Sequence, residues 1–293
     1  MTTTITLKSI SADNHPIIAK FLPFQGMNLI SYKKGNIEVI DQTTQSLFDE
    51  RYAGLGALIG PHFHHRQADQ IPPIADESLF EHIAKIKENG GTEFFSHGIA
   101  RYAPWTYDSN QNSISARICG SDTWHDVPLK DLEGFDFEMK LNAQVTPLGL
   151  AMHLSVKAEK PSIVGLHYYY GLAFRKGVIS GLVQDQYRTS HGLEPIPKEW
   201  YDKESGMLKF PVDSEADFGF FPRGNGHTGK MTLETTTHKL NVDYTAGTHE
   251  NSFQIYHPAK SSYVCIEPLT AKNPRDLKIN ESSMAVKIAI DLL

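Results

Sequence analysis

Cysteine is scarce in this sequence, since Cys119 and Cys265 are the two in 293 residues. Two cysteines so far apart neither form a disulfide framework nor supply the ligands of a structural zinc site. The first residues also lack a basic segment followed by an apolar core, as a secretion signal would have. We therefore expect a cytoplasmic protein in a reducing compartment.

An excess of positive charge and long apolar runs are lacking too. The net charge is −6, and no run of Lys or Arg is longer than Lys33–Lys34. This argues against nucleic acids and anionic membranes as general partners. The strongest apolar stretch, residues 52–60, is too short to span a bilayer. Small molecules are the expected partners of a chain that acts as a monomer or a homodimer.

The sequence does contain many short runs in which apolar and polar residues alternate. Separated by turn-forming residues, such runs are typical of β-strands. The clearest involve Ile5/Leu7, Ile37/Val39, Ile114/Ala116/Ile118, Phe135/Phe137/Met139, Met152/Leu154/Val156, Leu240/Val242, Phe253/Ile255 and Val286/Ile288/Ile290. No repeat or linker divides the chain. We predict a mostly β protein, a large antiparallel β-sandwich formed as one domain by residues 1–293.

One or two short surface helices interrupt this pattern. Apolar residues recur at helical spacing over residues 79–86, Asp76 is a candidate N-cap, and residues 89–91 read Asn-Gly-Gly, a stop signal. A second helical turn is expected over residues 197–202.

Two motifs suggest ligand sites but lack the necessary context. Residues 224–230 read GNGHTGK, yet a strand-like sequence follows where phosphate binding needs a helix, so we expect a hairpin turn. His62 and His64 share one face of a strand, but no local third ligand accompanies them. We predict neither a nucleotide site nor a metal site.

Polar residues stand inside apolar, strand-like surroundings in four places, where buried ionisable groups are costly unless they pair or act. These are His97–Arg101 followed by Trp105, His167 within Leu166–Tyr170, Asp185 within Gln184–Tyr187, and Glu267 within Val264–Thr270. Each alone fits a structural role, since isolated polar residues in strands are usually hydrogen-bonded.

In this order the four segments resemble the aldose 1-epimerase, or galactose mutarotase-like, family, which includes hexose-6-phosphate mutarotases. The most specific match is His-Gly-Ile-Ala-Arg at residues 97–101, and residues 57–66 resemble an early segment that ends in a substrate-contacting arginine. The resemblance implies a large β-sandwich and a sugar substrate. It implies catalysis by His167 and Glu267 with help from His97, and substrate binding by Arg66, Arg101 and Asp185. Trp105 is a fourth candidate for substrate binding.

Anomer interconversion needs one base to take the proton of the C1 hydroxyl and one acid to protonate the ring oxygen. We assign Glu267 as the base and His167 as the acid, and expect a neighbouring carboxylate to keep the imidazole protonated. We expect the two on opposite sides of a space that fits one pyranose. The reaction requires neither metal nor organic cofactor.

Several alternatives remain open from the sequence. Trp105 and residues 168–170 could pack an aromatic face on the sugar, although strand aromatics are more often core residues. The substrate could be a neutral hexose or a hexose phosphate, according to whether Arg66, Arg101 and Arg188 converge. The chain could also be a non-catalytic carbohydrate-binding or sugar-sensing protein, or a polysaccharide lyase or glycoside hydrolase accessory domain on the same fold.

Overall fold

The predicted alternation of apolar and polar residues forms strands, as in β11 (Gly149–Ala158). Leu150, Met152, Leu154 and Val156 are buried, while the residues between them are more exposed. Successive side chains of a strand point to opposite faces, so this spacing gives the sheet one apolar face. The computed structural model describes residues 3–64, 71–202 and 204–293.

Two large antiparallel sheets dominate the molecule. The first has nine strands in the spatial order β16 (Leu208–Pro211), β13 (Val178–Gly181), β18 (Thr228–Glu234), β19 (His238–Ala246), β22 (Glu281–Leu292), β11, β10 (Phe137–Thr146), β7 (Ser113–Cys119) and β6 (Thr106–Ser109). The second has seven, in the order β15 (Gly192–Pro195), β14 (Val183–Thr189), β17 (Ala216–Pro222), β20 (Ser252–His257), β21 (Tyr263–Leu269), β12 (Gly165–Gly171) and β5 (Gly56–Ile59).

The two sheets pack face to face over a shared apolar core. The rings of Tyr244 and Phe253, one from each sheet, lie 4.7 Å apart between centroids in an edge-to-face contact. The Tyr168 hydroxyl, on the seven-stranded sheet, lies 3.4 Å from the sulfur of Met152 on the nine-stranded sheet. Packed sheets of this kind are the predicted sandwich, so the fold class is confirmed.

Two smaller sheets accompany the sandwich. They comprise a four-stranded sheet of β1 (Ile5–Ile10), β2 (Pro16–Leu22), β3 (Asn28–Lys34) and β4 (Ile37–Glu38), and a pair formed by β8 (Thr123–Trp124) and β9 (Val127–Pro128). Tyr32 ties the four-stranded sheet to the nine-stranded one, because its hydroxyl accepts from Leu150 N and donates to Ile288 O.

The described residues contain three α-helices: α1 (Gln45–Arg51), α2 (Glu81–Glu88) and α3 (Leu129–Glu133). The predicted helix is α2, but Asp76 caps a separate 3-10 turn, Glu77–Leu79, because Phe80 is extended. Neither α1 nor α3 was predicted from the sequence. The second predicted turn is the 3-10 turn Lys198–Trp200. None of the helices in the described ranges has the length and apolarity to cross a bilayer.

Residues 224–230 connect β17 to β18, and the residues after the glycines form a strand as predicted. The expected hairpin is wrong, however, because β17 and β18 belong to different sheets. The segment is the connection by which the chain passes from one sheet to the other.

Candidate active site

A cavity of 810 Å³ lies against the seven-stranded sheet, on the face turned away from the core. On β12, Tyr168 and Tyr170 point into the core, while His167 and Tyr169 line the cavity. The alternation of a strand explains this division, because neighbouring residues must face opposite sides. A strand that is buried throughout can therefore serve both the core and a site.

Strand register brings polar residues of distant sequence segments together on this face. Pairing of Tyr168 with Ile266 places His167 beside Glu267, and Glu267 in turn pairs with Gln254 on β20. Asp217 on β17 pairs with Tyr256, one pleat along the same face. All of these side chains except Ile266 and Tyr168 line the cavity.

His167 and Glu267 form a buried pair at the cavity floor, 7% and 1% exposed. Nε2 of His167 lies 3.4 Å from Oε1 of Glu267, and the imidazole stacks on Tyr169 at 4.9 Å between ring centroids. Within the described part of the chain, no atom hydrogen-bonds His167 Nδ1 or Glu267 Oε2. Buried polar atoms without partners are rare, and here each belongs to a side chain that lines the cavity.

His97 reaches the cavity from a turn that packs against the end of β5. Its N–H donates to Phe63 O at 2.8 Å, and its carbonyl accepts from Gly60 N at 2.8 Å. The next residue must be glycine, because φ of Gly98 is +90° and a Cβ there would lie 1.9 Å from Gly60 O. This close approach sets the His97 ring edge-to-face against His167, 5.2 Å away between centroids.

Arg101 supplies positive charge beside the three side chains. It is 3% exposed, lines the cavity, and its Nε donates to Tyr52 O at 2.7 Å. Burial, together with the charge of Arg101, lowers the pKa of both His97 and His167 well below the usual value. The two imidazoles are therefore neutral at pH 7.

Glu267 is shifted in the opposite sense. Burial and the negative charge of Asp217 raise the pKa of its carboxyl group well above the usual value, against the opposing effect of Arg101. Both shifts favour the uncharged forms of the pair, a neutral imidazole beside a protonated carboxyl group. Desolvation, the largest cause of the lowered pKa of His167, opposes the protonated imidazole expected from the sequence.

Asp217 and Gln254 form a second polar group on the cavity wall. Nε2 of Gln254 donates to Oδ1 of Asp217 at 2.8 Å. Arg188 on β14 pairs with Gly219 on β17. The absence of a side chain at Gly219 leaves room for its neighbours, because a Cβ there would lie 3.0 Å from Gln254 Oε1 and 3.3 Å from Arg188 Cβ. Acceptors and donors thus alternate along the wall, as recognition of hydroxyl groups requires.

One set of potential metal donors lies in the site. His167, Cys265 and Glu267 each place one donor atom within 4.8 Å of the others. Burial and the negative charge of Glu267 raise the pKa of the Cys265 thiol well above its usual value. Binding of a metal ion by these three residues would therefore have to displace the proton of the thiol.

Solved structures of known proteins share this architecture along the whole chain. A galactose mutarotase-like protein from Lactobacillus casei superposes with a TM-score of 0.68 at 14% identity, covering 98% of this chain and 100% of its own. A GalM/aldose epimerase homologue from C. elegans gives 0.65 at 12% identity, with 99% and 100% covered. The Slr1438 protein from Synechocystis gives 0.64 at 16%, with 100% and 97% covered.

The chain has the galactose mutarotase-like fold. No protein-family model and no curated protein matches the sequence. At these identities the structural likeness establishes the fold, and the chemistry of this chain has to be argued from its own residues.

Four of the seven residues predicted for the site lie together in the cavity: His97, Arg101, His167 and Glu267. The separation expected between His167 and Glu267 is wrong, since they are in contact.

Two of the remaining predicted residues, Trp105 and Asp185, do not line the cavity. Trp105 is 1% exposed in the core, and its indole N–H donates to Ala100 O at 2.9 Å. Asp185 is exposed and is not part of the cavity lining, and the Tyr201 hydroxyl lies 3.4 Å from its Oδ1. Arg66 lies outside the described residues.

Sequence reasoning missed the polar residues of the neighbouring strands. Asp217 begins the run Asp-Phe-Gly-Phe-Phe, whose aromatic character is the same signal that drew attention to His167. Glu93 and Glu133, which contact His62, gave no signal, because exposed surface explains most carboxylates in a sequence equally well.

Proposed function

We propose that this chain is an aldose 1-epimerase, which interconverts the α and β anomers of a hexose by opening and reclosing the ring. The observation that carries the proposal is the buried contact between His167 and Glu267 at the floor of a cavity, each with a polar atom unpartnered among the described residues. An acid and a base in contact fit a reaction whose two proton transfers occur at oxygens on the same carbon.

Ring opening uses the single proton of the pair. Its transfer from Glu267 to His167 across their 3.4 Å contact gives a carboxylate base and an imidazolium acid. Glu267 then takes the proton of the C1 hydroxyl as His167 donates its proton to the ring oxygen. The C1–O5 bond breaks and the C1 carbonyl forms. After rotation about C1–C2, the reverse transfers close the ring on the other face and restore both groups.

Other residues of the cavity hold the sugar. His97, edge-to-face with His167, hydrogen-bonds the oxygen that is being protonated. Arg101 stabilises negative charge that develops near C1, since guanidinium groups donate in a fixed fork. Asp217 takes the hydroxyl-binding role that we first gave to Asp185, because it lies on the cavity wall with Gln254.

The choice between neutral and phosphorylated hexoses depends on the arginines. Arg101 belongs to the turn that packs beside β5, at one edge of the seven-stranded sheet. Arg188 lies on β14, near the other edge of that sheet. Three strand spacings, about 14 Å, separate β14 from β21. Arg101 and Arg188 therefore do not share one anion, and the lack of this pair favours a neutral hexose. Arg51 and Arg275 also line the cavity, so the comparison with glucose 6-phosphate decides between the two classes.

Two-dimensional exchange NMR of the anomeric protons tests the proposal with glucose, galactose and glucose 6-phosphate. We expect accelerated exchange for at least one sugar and the strongest acceleration for a neutral hexose. Binding without acceleration for every sugar would contradict the proposal and support a sugar-sensing protein instead. Isothermal titration of the same sugars supplies the binding measurement.

A further inference from the structure

A chain of hydrogen bonds leads from Glu93 to the cavity histidine His97. Oε2 of Glu93 lies 2.9 Å from Nδ1 of His64. Oγ of Ser96 lies between the two imidazoles, 3.1 Å from Nδ1 of His64 and 2.9 Å from Nδ1 of His97. We call Glu93, His64 and Ser96 the Glu93 chain. Because hydroxyl and imidazole groups each donate at particular atoms, the direction of every bond can be worked out.

The first step is fixed by the charge of Glu93. Its other oxygen, Oε1, lies 3.3 Å from Nε2 of His62. Burial alone would lower the pKa of His62, but the negative charges of Glu133 and Glu93 raise it to about 9. His62 is thus a cation that donates to Glu93. An ionised carboxylate only accepts hydrogen bonds, so Nδ1 of His64 carries a proton and donates to Oε2.

The second step follows from the proton on His64. A ring nitrogen that carries a proton cannot accept a hydrogen bond. The Ser96 hydroxyl therefore cannot donate to His64, which leaves Nδ1 of His97, 2.9 Å away, as its acceptor among the described residues. That nitrogen accepts and is unprotonated. Burial and the charge of Arg101 keep His97 neutral through a lowered pKa, so its one ring proton is on Nε2.

We propose that Glu93, His64 and Ser96 are positioning residues that hold His97 as the Nε2–H tautomer. The ring thereby presents a fixed N–H donor in the cavity instead of an acceptor. A donor oriented before the substrate arrives stabilises a developing negative charge without reorganisation. The role of this donor in catalysis rests on the proposed function, whereas the tautomer itself does not.

The tautomer can be measured in the protein without sugar by long-range proton–nitrogen NMR of uniformly ¹⁵N-labelled protein. The His97 signals are assigned by comparison with His97→Gln. We expect Nε2 at the shift of a protonated ring nitrogen and Nδ1 at that of an unprotonated one, at pH 7. The reverse assignment, or an average of the two tautomers in the wild type, overturns the proposal.

Substitution of Ser96 tests its position in the chain. Ser96→Ala removes the donor to His97, so we expect a mixture of tautomers and a fall in kcat of roughly two- to tenfold with little change in KM. Ser96→Thr retains the hydroxyl and should restore both. Ser115→Ala, on an exposed position of β7, is the matched control.

Two results separate this inference from the proposed function. An unchanged nitrogen spectrum in Ser96→Ala contradicts the positioning role, whatever the activity. Absence of anomer exchange in the wild type contradicts the proposed function, whereas the sugar-free spectrum still decides the tautomer.

Discussion

A rise in pH should destabilise the protein by removing the charge of one buried histidine. His62 is 6% exposed and lies between two carboxylates, with Nδ1 2.5 Å from Glu133 Oε1 and Nε2 3.3 Å from Glu93 Oε1. Glu133 is 1% exposed, and its second oxygen accepts from Ile99 N at 3.0 Å. Glu133 therefore joins α3 to the turn that carries His97, and protonated His62 neutralises its buried charge.

The magnitude follows from the shift in pKa. Burial opposes the charge of His62, but the carboxylates prevail and raise its pKa from 6.5 to about 9. Because the pKa is higher in the folded state, the stabilisation is complete below about pH 6.5 and disappears as the pH rises through 9. A shift of this size corresponds to about 3 kcal/mol of unfolding free energy.

Urea unfolding of the wild type and His62→Gln at pH 6 and at pH 10 measures this contribution. The loss of unfolding free energy in the variant at any one pH also includes the cost of leaving Glu133 buried without a cation. The quantity to compare is therefore the change, between pH 6 and pH 10, in the stability difference between wild type and variant. We expect the advantage of the wild type to shrink by about 3 kcal/mol at the higher pH. The exposed His153→Gln is the control. An advantage that is the same at both pH values would refute the reasoning.

Two further predictions concern single residues of the site. Gly98→Ala places a methyl group against Gly60 O, so it should lower the unfolding free energy by about 2 kcal/mol or more in urea titrations. Gly206→Ala is the control, because Gly206 also has positive φ but a Cβ there would have no atom within 4 Å. It should lower the unfolding free energy by less. Asp217→Asn should raise KM for the sugar by roughly tenfold or more, as measured by exchange kinetics, because a charged acceptor is lost. Asp185→Asn should leave KM unchanged, and an equal effect of both would contradict the assignment.

The sequence predicts the fold well because alternation is a local property. The core residues of β11 and β22 can be read directly from their spacing, and the structure buries them as expected. The helices α1 and α3 cannot be predicted in this way, because seven and five residues are too few to show a helical period. Tertiary contacts, such as that of Glu133 with His62, hold them in place.

The site was predicted in part because its residues stand out against apolar strands. His167 and Glu267 each interrupt an aromatic or apolar run, which is why they can be found without a structure. Trp105 and Asp185 show the limit of that signal. The sequence neighbours of a residue do not reveal whether its side chain points into the cavity or away from it. Asp217 reaches the site through strand register, a long-range property that a single sequence does not encode locally.

Anomer exchange catalysed by the wild type and by Glu267→Gln tests the central claim most directly. The amide keeps the size of the carboxyl group but cannot take a proton, so exchange should fall roughly 10²- to 10⁴-fold in the variant. Glu215→Gln, at an exposed position, is the control and should retain full activity. Equal acceleration by the wild type and Glu267→Gln would contradict the assignment of the buried His167–Glu267 pair as the acid and base of mutarotation.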